Sequence, residues 1–163
     1  MQTLPLNIFS FSCLFNELTS LLLIPVVIFS LQKNKSSIPF LWFLLAVVWW
    51  SFFYFLWLMT PNKMIAEFFA RTCMIGVILM PPIFFHFIVV LLGKYKKNVW
   101  VIINYLIATI FIAFVYSNFY IQGMKSIIYL PFWPIPGVLF PFMILHFIII
   151  YLIAHALMFF YIR

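Results

Sequence analysis

The chain has 163 residues, of which 68% are hydrophobic, 23% aromatic and only 7% charged, against roughly 25% charged in an ordinary soluble domain. That composition excludes a soluble domain and makes the lipid bilayer the solvent of the fold. The net charge of +7 does not imply nucleic acid, because the nine Lys and Arg are scattered in short turns and near helix ends; they set membrane topology instead.

The first apolar segment, near 8–31, lacks the basic start and small-residue cleavage site of a secretory signal and is read as a permanent helix. Polar punctuation at LQKNKSSIP (31–39), TPNK (60–63), GKYKKN (93–98) and SNFYIQGMKSIIYLPFWPIPG (117–137) sets four further helices near 39–60, 64–92, 98–117 and 137–162. Each reaches or approaches the ~20 residues that cross a bilayer core. Segments in lipid must satisfy their own backbone groups, and these runs lack barrel-like alternation, so helices follow rather than strands. The expected fold is all-α: one polytopic transmembrane bundle, residues 1–163, with five antiparallel spans.

Lys33, Lys35, Lys94, Lys96, Lys97 and Arg163 fall on one side of such a bundle, and Lys63, Arg71 and Lys125 on the other. Basic residues are held on the cytoplasmic side. The N-terminus is therefore expected outside and the C-terminus in the cytoplasm, in a multi-pass protein of the inner (cytoplasmic) membrane. The long connection 117–137 then lies outside. It reads either as an interfacial loop with Tyr129 and Trp133 at headgroup level or as a lid over an outward-facing ligand pocket.

Charges inside lipid need shelter and partners. Glu67 and Arg71 stand four apart on helix 3, with the acid first, as an i,i+4 pair prefers. Glu17 on helix 1 reaches a similar depth, so a Glu17, Arg71, Glu67 cluster tying helix 1 to helix 3 is expected, either as a packing clamp or as a ligand-sensing polar cavity. His86 comes fifteen residues after Arg71, about 60° around the helix, so it shares that inward face. Pro81 and Pro82 lie between them and predict a kink near 78–82, as a static wedge or a hinge.

His146 and His155 are nine residues apart on helix 5 and face opposite ways. His155 and His86 match in depth, which raises a bis-histidine haem between helices 3 and 5. Imidazoles in membrane helices more often hydrogen-bond to a neighbour, so neither cofactor nor metal is expected. Cys13 and Cys73 lack metal or redox spacing and read as small buried hydrophobes. No nucleophile elbow, zinc-protease helix or phosphate loop occurs, and the chain is not expected to be an enzyme.

Residues 47–94, VVWWSFFYFLWLMTPNKMIAEFFARTCMIGVILMPPIFFHFIVVLLGK, resemble the N-terminal seven-helix sensor region of histidine kinases. The resemblance is carried by Trp49, Glu67, Arg71, Ile75 and Gly76, Pro81 and Pro82, and Phe85, His86 and Phe87. WPIPGVLFP (133–141) is similar to the entry to that family's fifth helix. The resemblance implies an outward N-terminus, an extracytoplasmic or membrane-embedded signal site, and a cytoplasmic kinase or other output module after helix 7. Here five helices end at Arg163, so helices 6 and 7 and the output module are absent, and no phosphoacceptor histidine carries over. The expected function is the input region of a signal-transducing kinase, truncated before its output, with the bilayer, an output module or missing helices, and a second copy as partners. The alternatives are a non-catalytic accessory or assembly subunit of a membrane complex and a haem or quinone redox subunit.

Overall fold

The computed structural model describes residues 8–30, 36–94, 98–127 and 130–162. Five helices run in chain order: α1 (Ile8–Ser30), α2 (Ser37–Met59), α3 (Lys63–Leu91), α4 (Val99–Phe114) and α5 (Leu139–Ile162). Their limits follow local chemistry. The Asn62 side chain accepts from the Met64 and Ile65 amides at 2.9 and 3.2 Å, and Asn98 accepts from Trp100 at 3.1 Å; both act as N-caps. At the other end of α3, Gly93 takes φ 67°, Lys94 N–H returns to Val89 O and Gly93 N–H to Val90 O, the two bonds of a Schellman stop.

Helix α3 is the centre. Half of its apolar span, 50%, is buried, against 17% to 28% for the other three long helices. Helix α2 packs on it closely, because Gly76 presents no side chain to Ala46 and Trp50; small residues serve this role at membrane helix interfaces. The Trp49 indole donates to Thr72 O across the same seam at 2.9 Å. Helix α1 packs on α2, with Asn16 donating to Ser51 Oγ at 2.6 Å. Helices α4 and α5 each pack on α3 and leave a groove of about 490 Å³ between them, lined by Phe85, Trp100, Asn104, His146, Ile150 and Leu157 among others.

Two elements differ from the sequence reading. Helix α4 stops at Phe114, three residues early, after 16 residues, about 24 Å at 1.5 Å per residue. It is thus shorter than a full crossing, whereas four helices are long and apolar enough to span a membrane. The connection expected as a loop is an antiparallel hairpin, β1 (Ile121–Ile127) and β2 (Leu130–Pro136), with Lys125 opposite Trp133 and Met124 opposite Pro134. Pro131, Pro134 and Pro136 argue against a central strand, but in a two-stranded sheet both strands are edges, where a missing N–H is tolerated. Tyr129 lies outside the described residues, as do Lys33, Lys35, Lys96, Lys97 and Arg163.

Candidate functional site

Arg71 is buried, with its side chain 7% exposed, and the i,i+4 spacing places it beside Glu67, which is 30% exposed. Its Nε and Nη2 donate to Glu67 Oε1 at 3.0 and 2.6 Å. Nη1 donates to Val115 O at 3.1 Å and Ser117 O at 2.7 Å, and Nη2 to Ile121 O at 2.7 Å. A guanidinium has five N–H groups, and all five are used. The carbonyls come from the end of α4 and the start of β1, where the chain leaves helical geometry through i to i+3 turns. A cation at a helix C-terminus also complements the helix dipole. Arg71 therefore roots the hairpin on α3.

The structure does not bring Glu17 into this cluster. Glu17 sits half-buried on α1, and among the described residues it forms no ion pair with Arg71. The physical reason is direction: α1 docks on α2, whereas Arg71 turns to the end of α4 and to β1. His86 also turns to α4, with Nδ1 3.2 Å from the Tyr105 hydroxyl. His146 Nε2 lies 3.1 Å from Asn104 Oδ1, and His155 Nδ1 donates to Tyr151 O at 2.7 Å within its own helix. Among the described residues, no three His, Cys, Asp or Glu side chains gather as a metal site. Pro81 and Pro82 lie buried inside an unbroken α3, where their missing N–H groups leave the Val77 and Ile78 carbonyls without the usual helical donor.

The hairpin folds over a cavity of about 210 Å³ lined by Trp50, Tyr54 and Trp57 of α2, Met74 of α3, Trp133, Pro134 and Pro136 of β2, and Phe140 of α5. The rings form one wall: Trp50 to Tyr54 at 6.0 Å, Tyr54 to Trp57 at 5.0 Å, and Trp57 to Trp133 at 5.3 Å between centroids. The Trp57 indole donates to Phe132 O at 2.8 Å, which ties α2 to β2. The sequence reading named Trp133 but missed the α2 face. The spacing of Trp50, Tyr54 and Trp57, i, i+4 and i+7, was its signal, since such residues share one side of a helix.

Behind the cavity, Tyr120 packs its ring on Phe140 at 5.7 Å, and its buried hydroxyl has no hydrogen-bond partner among the described residues. Burial pushes this phenol up from its ordinary pKa. An unmade bond in the interior costs about 1–3 kcal/mol. Tyr120→Phe is therefore expected to raise the apparent unfolding temperature of the purified protein; a clear fall would show that the hydroxyl is engaged.

Among the described residues, an exterior of Leu, Ile, Phe and Trp side chains, four long apolar helices and the sheltered Glu67–Arg71 ion pair define an integral membrane protein. Residues 17–163 match the family described as the N-terminal 7TM region of histidine kinase, and the chain belongs to that family. The family is a sensor input region and not a catalytic domain. No curated protein and no solved structure matches the chain.

Proposed function

We propose that this chain is the part of a histidine-kinase receptor that receives the stimulus, at the hairpin end, and relays it along α3 and α5 to a cytoplasmic output module. The orientation that goes with this reading puts the hairpin outside the inner membrane and Lys94 inside, and the basic excess supports it. The observation that carries the proposal is the family membership over residues 17–163, joined to a lid-like hairpin rooted on α3 by the Arg71 guanidinium and on α2 by the Trp57 indole.

A relay needs an element with two arrangements whose balance the stimulus shifts. The proline pair in α3 supplies it: with two helical donors missing, the segment Val77 to Pro82 bends at lower cost than its neighbours. At the far end of the helix, Lys94 Nζ sits 4.7 Å over the Tyr161 ring, joining α3 to α5. Movement of α3 about the prolines would change that contact.

The test needs no known stimulus. Nitroxide labels at Lys94 and Tyr161, in a chain whose Cys13 and Cys73 are replaced by alanine, report the separation of the two helix ends by dipolar broadening. Trp133→Ala, which loosens the hairpin from α2, is expected to change the broadening, and to lose that effect when Pro81 and Pro82 are both alanine. Identical spectra with and without Trp133 would remove the relay.

The alternative of an accessory or assembly subunit is favoured by one feature, the apolar groove between α4 and α5, a surface that suits another membrane helix. Co-purification of a larger membrane complex that survives removal of the kinase gene would decide for it.

A further inference from the structure

We infer that the cavity under the hairpin binds a neutral, one-ring aromatic molecule that carries a hydrogen-bond acceptor. The inference gives a ligand class to the sensor reading and rests on it for its meaning, but the binding itself does not depend on any output.

Size sets the first limit. About 210 Å³ falls below the roughly 300–1,000 Å³ of drug-sized sites, so one ring with a small substituent fills it. Shape sets the second. The cavity is bounded by a run of rings from α2 and β2, and aromatic faces prefer the offset or edge contacts that another ring offers.

Charge sets the third limit. No charged side chain lines the cavity. Arg71 lies one turn before Met74, and its five N–H groups are all engaged. Lys63 and Lys125 are exposed. A carboxylate or ammonium entering here would lose its water and gain no counter-ion, which disfavours both.

The acceptor follows from the indoles, which can only donate. Trp49 and Trp57 spend their N–H on Thr72 O and Phe132 O. Trp50 and Trp133 line the cavity, and among the described residues their indole N–H groups have no hydrogen-bond partner; Trp50 is engaged through its backbone carbonyl, which accepts from Cys73 Sγ. A ligand carbonyl or ether oxygen between α2 and β2 would take these donors. It would thereby hold β2 against α2 and, through the β1 pairing, steady the carbonyl of Ile121 on Arg71.

The test is fluorine NMR of the full chain in lipid nanodiscs with three probes: para-fluoroacetophenone, para-fluorobenzoate and para-fluoro-trimethylanilinium. The ketone is expected to show saturable line broadening, weakened at least about tenfold by Met74→Trp, which fills the space from α3, and weakened also by Trp133→Phe, which keeps a ring and removes the donor. The two ions are expected to bind at least about tenfold more weakly than the ketone. Only non-saturable partitioning, the same affinity in Met74→Trp, or tighter binding of either ion would overturn the inference. Should Met74→Trp fail to fold, unchanged binding by Trp133→Phe would overturn the assigned donor. None of these results bears on the label experiment at Lys94 and Tyr161, which uses no ligand, so the two readings fail separately.

Discussion

Arg71→Ala is expected to destabilise the folded chain by about 3–5 kcal/mol, the range for removing one member of a buried charge pair. The loss has two parts that further variants separate. One is the Glu67 carboxylate, left without its cation. The other is the set of Val115, Ser117 and Ile121 carbonyls, which lose the hydrogen bonds that, among the described residues, tie them to α3. Replacing Glu67 and Arg71 together by leucine removes the first part and keeps the second, so it should recover stability only in part. Arg71→Lys keeps a charge for Glu67 but brings a compact ammonium in place of a rigid fork, and it too should recover only part. The apparent unfolding temperature in detergent or nanodiscs ranks the four proteins. Full recovery in the double variant would mean that the carbonyls gain nothing from Arg71, and the root of the hairpin would have to be sought elsewhere.

The arrangement explains which features the sequence made visible. The long apolar runs end at Ser30, Met59 and Leu91, within about one residue of their expected limits, and the polar punctuation supplies the N-caps Asn62 and Asn98 that start α3 and α4. The Glu67 and Arg71 pair is visible because an i,i+4 spacing is local. Three of Arg71's acceptors are backbone oxygens 44, 46 and 50 residues away, and backbone oxygens leave no mark on composition. For the same reason α4 reads too long: Val115 and Tyr116 continue its run of large side chains, and it is the Val115 and Ser117 carbonyls that Arg71 takes. The hairpin was hidden by its prolines, which argue against a strand unless the strand is an edge. One wall of the cavity was legible in Trp50, Tyr54 and Trp57, but the rest comes from Met74, Trp133 and Phe140, which only the fold brings together.

Gly137→Ala is expected to be the second severe substitution. A Cβ at Gly137 would stand 2.3 Å from Phe119 O, 2.5 Å from Phe119 C and 2.7 Å from Asn118 O. All three are backbone atoms, so no side-chain rotation relieves the clash. The crossing is pinned from both sides, by Gly137 N–H to Tyr120 O and Leu139 N–H to Phe119 O, each at 2.9 Å. The chain must open there, at a cost of about 3 kcal/mol or more, the upper end for overpacking. Gly93→Ala is the control: its Cβ meets nothing within 4 Å, and only the left-handed φ resists it, at about 1 kcal/mol. Opening the crossing moves the start of α5 away from Tyr120 and draws Phe140 and β2 off the aromatic wall. The expected result is a large fall in unfolding temperature together with loss of saturable ketone binding, while Gly93→Ala retains both. If Gly137→Ala folded with the wild-type unfolding temperature, the close passage of β2 into α5 would not exist in the membrane, and the cavity would lose the element that closes it.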